Sequence, residues 1–375
     1  MPGLYLHIPF CKQACHYCNF HFSTNLQRKG EMVEALLVEL ERQRHYLQGA
    51  PLTSIYFGGG TPSLLSGSEL ERLFEKIYAL HPVDSDAEVT LEANPDDLSP
   101  DKLKALRDSP VNRLSIGIQS FSEDDLRYMN RAHTAAEALT CIENALAAGF
   151  TNLTADLIYG APTTDDAQWA YNVRTMIGLG IPHVSAYSLT VEDRTALAHM
   201  VNKGKTPPPD EDTAARQYEF LMDTMALAGY AHYEISNFAQ EGWRARHNSS
   251  YWLGEPYLGI GPSAHSFNGV SRQWNIAHNS NYLKLLTATN AGEALWYETE
   301  TLTPVQHYHD RLLTGLRTSW GFDPAGTPSP FKEHFLEQVR PYLQQGLVEL
   351  HRGSYRLTRF GKFLADRITV GLFFG

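Results

Sequence analysis

Six short runs rich in Val, Ile, Leu and Tyr punctuate the first half of the chain: LYLHIP (4–9), TSIYF (53–57), AEVTLE (87–92), NRLSIGI (112–118), LTADLIY (153–159) and HVSAYSL (183–189). Runs of this length and makeup read as buried strands. Amphipathic stretches lie between most of them. Met32, Val33, Leu36, Leu37 and Leu40 recur at helical spacing after the first run. Thr134 and Glu137 make a capping box ahead of Leu139, Ile142 and Leu146, and Gly149 closes that helix. Residues 166–180, DAQWAYNVRTMIGLG, supply a third. Strands alternating with helices pair in parallel through right-handed crossovers, which leaves a doubly wound sheet or an incomplete barrel.

The polar residues decide between the two. Every strand runs into something unusual: a cysteine loop, Gly58-Gly59-Gly60-Thr61, Glu92, Gln119, Asp156, and Tyr187-Ser188. Chemistry gathered at the ends of all six strands, rather than at one switch point, favours a ring. The expected fold is α/β, a partial (β/α)6 barrel over residues 1–230. Residues 231–300 form an extension dense in Tyr, Trp, Gly and His. Residues 301–375 read helix, helix, the two-stranded LVELHRGSYRLT (347–358), then helix, a small winged-helix-like module.

Composition narrows the function. Among 375 residues, 43% are hydrophobic and 19% charged, an ordinary globular mixture, and the net charge is −11 with no long basic run. That argues against a nucleic-acid footprint and a polybasic membrane contact, and favours a packing cap over nucleic-acid binding for the C-terminal module. The N-terminus lacks the pattern of a secretory signal, and no stretch approaches the roughly 20 apolar residues of a membrane span. Three of four cysteines cluster, which does not resemble a secreted disulfide framework, so the expected compartment is the reducing cytoplasm.

The clustered thiols are Cys11, Cys15 and Cys18, in CKQACHYCNF, and Cys141 reads as a buried filler of an amphipathic helix. Three thiols on one short loop point to soft-metal ligation. Structural zinc would need a fourth ligand, which His16 or His21 could supply, but a second C-x2-C pair is absent. An iron–sulfur cubane held by three cysteines keeps one iron open to a ligand.

C-x3-C-x2-C directly after the first strand, with the aromatic Tyr17 before the last cysteine, resembles the radical S-adenosylmethionine superfamily. The resemblance implies a [4Fe–4S] cluster on Cys11, Cys15 and Cys18. It also implies that the amino and carboxylate groups of S-adenosylmethionine chelate the open iron, and that an electron from the cluster cleaves the sulfonium to a 5′-deoxyadenosyl radical. Gly59, Gly60 and Thr61, in YFGGGTPS, stand where that superfamily receives the methionine amino group; the Rossmann pattern G-x-G-x-x-G is absent. Tyr5, Tyr17, Glu92, Gln119, Arg131 and Asp156 match positions that contact S-adenosylmethionine in the family this chain resembles.

LYLHIPFC, GGGTPS, EANPD, GIQSF, DLIYG, SAYSLTVE and YLGIGPSAHS together resemble the anaerobic coproporphyrinogen III oxidase family and its relatives. Oxidases of that family continue the motif to C-x2-C-x-C and carry an extra N-terminal segment. Here Phe20 stands in place of the added cysteine, and Cys11 follows the first methionine too closely for such a segment. Both departures match the HemW-type haem chaperones. So does HNSSYW, with His247, Asn248, Tyr251 and Trp252, against the alternative of an ordinary packing histidine. Haem iron takes His or Tyr as axial ligand, and the resemblance assigns these four residues to haem. Tyr233, Phe238, Trp243 and Tyr257 are candidate porphyrin walls, and Arg244 and Arg246 candidate propionate partners. The implied partners are haem, a haem-acceptor protein and an electron donor; with no membrane span expected, an acceptor in a membrane would be met by transient contact. The competing readings are an oxygen-independent coproporphyrinogen III oxidase and a zinc-stabilised scaffold.

Overall fold

The computed structural model describes residues 2–287 and 295–375. Six parallel strands form its centre: β1 (Gly3–Ile8), β2 (Leu52–Gly59), β3 (Val83–Ala93), β4 (Arg113–Gln119), β5 (Leu153–Tyr159) and β6 (His183–Ser188), hydrogen-bonded in chain order. Helices α1 (Lys29–Arg42), α2 (Gly67–Leu80), α3 (Pro100–Arg107), α4 (Glu123–Tyr128), α5 (Ala135–Ala147) and α6 (Asp166–Gly178) carry the crossovers, and α7 (Ala196–Asn202) and α8 (Glu211–Leu227) follow β6. The α5 box forms as expected: the Thr134 side chain accepts from the Glu137 N–H, and Glu137 returns to the Thr134 N–H.

Period-two alternation sorts the strands' side chains. Leu4, Leu6 and Ile8, Ile55 and Phe57, Leu91, Leu114 and Ile116, and Leu157 join Leu36, Leu40, Leu73, Ile77, Ile142 and Trp169 in one apolar core on the helix side. The alternate set faces the ring's interior. It includes Tyr5, Tyr56, Glu92, Ser115, Gln119, Asp156 and Tyr187, so the strands that bury best outside also carry the polar groups inside.

The 231–300 stretch lengthens this sheet at both edges. Beyond β6 come β7 (Ala231–Glu234) and β8 (Asn237–Ala239), antiparallel, with β8 paired to β6. Helix α9 (Arg246–Trp252) leads to β9 (Tyr257–Ile260), which pairs in parallel with β1, and then to antiparallel β10 (His265–Phe267), β11 (Ser271–Asn275) and β12 (Tyr297–Thr301). Among the described residues the result is one twelve-stranded sheet. A buried carboxylate fastens its β9–β12 edge to α1. Glu39 accepts from the Gly261 N–H at 2.7 Å, Asn275 Nδ2 at 2.6 Å, Trp296 Nε1 at 2.8 Å and the Tyr282 hydroxyl, the last on α10 (Asn279–Thr287).

Helices α11 (Pro304–Leu316), α12 (Phe331–Gln338) and α13 (Arg340–Gln344), hairpin β13 (Val348–His351) and β14 (Ser354–Leu357), and helices α14 (Arg359–Lys362) and α15 (Ala365–Gly371) enclose a second core. Tyr308, Leu312, Phe322, Phe335, Val348 and Ile368 belong to it. The hairpin turns at Arg352 and Gly353, with φ of 50° and 91°, the left-handed pair a tight two-residue turn requires.

Candidate functional site

The exits of β1 and β2 press against each other, and glycines make the contact feasible. The Gly60 N–H donates to Ile8 O at 2.9 Å. A Cβ at Gly60 would lie 2.6 Å from Phe10 O, and one at Gly59, where φ is +105°, would lie 2.6 Å from the His7 ring. These glycines therefore serve the protein's own backbone as well as any ligand. The contact sets Thr61 beside the cysteine loop, and Thr61 Oγ1 donates to Cys11 Sγ at 3.4 Å.

A cavity of ≈ 450 Å³ opens at these strand ends. Cys11, Cys15, Tyr17, Cys18, Gly59, Gly60, Thr61, Glu92, Gln119, Arg131 and Asp156 all line it. Tyr5 does not; it lies beneath the cavity, its hydroxyl 3.0 Å from His7 Nδ1. Asp156 differs from its expected place at a strand end: it sits inside β5, and its inward register brings it to the wall. Gln119 ends β4 at a register shift with φ of 67°, which bends the strand at the rim.

One residue that ties the site together, Asn94, was not among the candidates. Arg131 Nη2 donates to Asn94 Oδ1 at 2.7 Å, and Asn94 Nδ2 donates to Thr61 Oγ1 at 3.2 Å. Arg131 Nη1 lies 3.3 Å from both Cys15 Sγ and the Tyr17 hydroxyl. A side-chain chain thus runs Cys11–Thr61–Asn94–Arg131–Cys15 across the mouths of four strands. Its signal in the sequence is position alone, two residues after Glu92, which again points inward. Gly117 is needed for the same reason: a Cβ there would meet the Arg131 guanidinium at 3.1 Å.

The electrostatics suit a ligand carrying both signs. Burial pushes Glu92 up to about 7 against the pull of the Tyr56 hydroxyl, and pushes Asp156 up to about 6. Both carboxyls would ionise readily beside a cation. Arg131 Nε is buried with no hydrogen-bond partner, an orphan donor in the wall of the site. Cys11, Cys15 and Cys18 are free thiols, and burial raises Cys11 to about 11 and Cys18 upward. Bound iron would draw them to thiolates. The donor set fits a three-thiolate cluster and a zwitterionic, sulfonium-bearing ligand. Of the proposed fourth zinc ligands, each has one ring nitrogen engaged: His16 Nδ1 bonds Tyr128 O at 2.8 Å and His21 Nε2 bonds Asn279 Oδ1 at 2.6 Å. Cys141 is buried in α5 as expected.

HNSSYW forms α9, which closes the opposite end of the ring. His247 is 1% exposed, with Nδ1 2.8 Å from Ser54 Oγ and Nε2 2.7 Å from the Tyr251 hydroxyl. Both ring nitrogens are engaged, so in this arrangement neither is open to iron. Asn248, Tyr251 and Trp252 are half-buried, and Arg317 lies 5.7 Å over the Trp252 ring. Two expected porphyrin walls are instead core: Tyr233 and Phe238 are fully buried, Tyr233 on His183 and Phe238 stacked on His232. Arg246 pairs with Asp86, and Arg244 covers the Tyr233 and Trp320 rings. A larger open groove, ≈ 660 Å³, crosses the outer faces of α1 and α2, where Glu34 pairs with Arg72 and Glu41 with Lys76.

Residues 5–174 match the radical SAM superfamily model and residues 302–364 the HemN C-terminal domain model. The heme chaperone HemW of Mycobacterium tuberculosis H37Rv is 35% identical over 98% of this chain and 93% of its own. That of Bacillus subtilis 168 is 33% identical over 100% of both. Coproporphyrinogen III oxidase (HemN) of Escherichia coli superimposes with a TM-score of 0.84, covering 99% of this chain and 90% of that one, at 23% identity, a likeness of fold. The full-length relatedness, together with three thiols at the mouth of a partial barrel, places the chain in the HemW family of the radical S-adenosylmethionine superfamily.

Proposed function

We propose that this protein is a haem chaperone of the cytoplasm, holding a three-cysteine [4Fe–4S] cluster and S-adenosylmethionine and passing haem to an acceptor protein. The observation that carries the reading is the cavity itself: three free thiols, two desolvated carboxyls and the Arg131 guanidinium beside Cys15 line one space. When bound, the cluster supplies a single electron and one open coordination position. Cys11, Cys15 and Cys18 would hold it. Glu92 and Asp156 would face the cationic part of S-adenosylmethionine, Arg131 its carboxylate, and Gly59-Gly60-Thr61 its amino group. Arg131 and Thr61 also donate to cluster-bearing sulfurs, which stabilises negative charge there.

Haem enters from the names of the relatives and from the rim. Phe20, 70% exposed, and Tyr187, 43% exposed, line the cavity and are the aromatic rings there that a flat ligand could meet. The HNSSYW residues can serve as haem ligands only if α9 opens. The partners of this reading are an acceptor haemoprotein and an electron donor. No helix among the described residues is long and apolar enough to cross a membrane, so an acceptor in a membrane would be met by transient contact.

The test is anaerobic reconstitution followed by haem titration through the Soret band and transfer to an apo-haemoprotein. Iron and sulfide should bind in a Cys11-, Cys15- and Cys18-dependent way, and haem should bind saturably and move to the acceptor. Zinc without sulfide in anaerobically purified protein would sink the cluster reading. Protoporphyrinogen IX formed from coproporphyrinogen III would replace the chaperone with the oxidase.

A further inference from the structure

The barrel interior holds one column of contacts that joins HNSSYW to the cavity. At its base, Glu88 on β3 receives the first N–H groups of α9, Arg246 at 3.0 Å and His247 at 2.9 Å. Ser54 and Tyr251 then hold the His247 ring from both sides. That ring stacks on Tyr56, with centroids 4.9 Å apart and planes 24° apart. The Tyr56 hydroxyl donates to Glu92 Oε1 at 2.7 Å, and Glu92 lines the cavity. Tyr5 lies alongside, 6.1 Å from Tyr56 and 6.4 Å from His247.

The strands make room for this column. A Cβ on Gly3 would lie 3.2 Å from the His247 ring. One on Gly58 would lie 2.8 Å from Tyr56, 2.9 Å from Tyr5 and 3.1 Å from Glu92. Two glycines inside parallel strands, where a side chain would otherwise pack, yield their space to the same stack.

We propose that HNSSYW braces the S-adenosylmethionine cavity from beneath, with His247 as a positioning residue that carries Tyr56 and thereby holds Glu92 at the cavity wall. The proposal rests on the reading that this cavity takes S-adenosylmethionine. His247 touches no part of that ligand; it acts through Tyr56. Burial lowers its pKa to about 3, so the ring is neutral and brings no charge beneath Glu92. A flat, neutral ring with a partner at each nitrogen is what a stacked support needs. An axial haem ligand needs one nitrogen free.

The test uses the full chain, reconstituted anaerobically, with iron and sulfide content checked for each variant. Equilibrium dialysis measures S-adenosylmethionine affinity. The electron paramagnetic resonance spectrum of the reduced cluster, with and without S-adenosylmethionine, reports whether the ligand reaches it. Tyr56→Phe and His247→Gln should each weaken affinity about tenfold, the scale of one lost charge-assisted hydrogen bond. The double variant should be little worse than the weaker single one, because both act on Glu92 through one column. Ser54→Ala, which keeps the ring, should lie between wild type and His247→Gln, and with Tyr56→Phe it carries the test if His247→Gln does not fold. Haem titration should be unchanged in all of them. If His247→Gln abolishes the haem spectrum and leaves S-adenosylmethionine affinity intact, the motif is a haem site and the proposal fails. Losses that multiply in the double variant also overturn it. Wild-type protein with no affinity for S-adenosylmethionine overturns the cavity reading first, and this one with it.

Discussion

Arg131 shows how much of the site depends on single side chains. Its guanidinium is within hydrogen-bond reach of Cys15, Tyr17, Asn94 and the Gly117 carbonyl. Arg131→Met should weaken S-adenosylmethionine binding at least tenfold and lower cluster retention, read by dialysis and iron content. Glu92 and Asp156 give a pH signature. A carboxyl held above its unfolded value binds its proton more tightly in the folded chain. The stability it contributes is present below about 4 and is lost as pH rises through about 6 for Asp156 and about 7 for Glu92. The melting temperature of the ligand-free protein should therefore fall between about pH 4 and 7, and Glu92→Gln with Asp156→Asn should flatten that slope. A flat wild-type profile would contradict the burial argument. Gly60→Ala should fail to hold the cluster loop, because the added carbon lies 2.6 Å from Phe10 O and 2.8 Å from Ile8 O. The cysteines and most wall residues are legible in the sequence because they follow or alternate within recognisable strands. Asn94 is not, since an asparagine before a proline reads as an ordinary turn residue. Its role depends on Arg131, 37 residues away, folding back over it.

Elements differ in how plainly the chain announces them. Strands β1 to β6 stand out through Val, Ile and Leu, and α5 through its capping box. The edge strands do not: β8 and β10 have three residues each, too few for any period to show. Helix α9 is equally mute. Its seven residues mix Arg, His, Asn, Ser, Tyr and Trp, and only the packed barrel reveals which of them point inward. The β9–β12 edge depends on Glu39, a carboxylate on α1 that pattern reading treats as solvent-facing. Glu39→Ala leaves four donors buried without an acceptor and should cost about 3 kcal/mol or more, measured by urea unfolding. A loss below about 1 kcal/mol would mean that water reaches these groups and replaces the carboxylate.

At the scale of the molecule, two apolar cores share no member. Between them lie polar contacts, Arg359 on Asp223 and Lys362 on His232, and two apolar ones, Phe363 on the first core through Tyr218 and Ile235 on the second. Calorimetry should resolve two transitions, the smaller from residues 304–372, and one cooperative transition would show that the Phe363 and Ile235 contacts couple the cores. The twelve-stranded sheet has a further consequence, in the order of synthesis. Strand β1, made before the other described strands, pairs with β2 on one side and with β9 on the other, Gly3 facing both Ser54 and Tyr257. On a growing chain its second neighbour is missing until residues 257–260 emerge, and α9, which closes the barrel, arrives just before them. Until then the three thiols hang from a half-paired strand over a ring with no base. Their exposure to oxidants, and to whatever delivers iron and sulfide, is therefore set by how fast the ribosome reaches position 260 of 375.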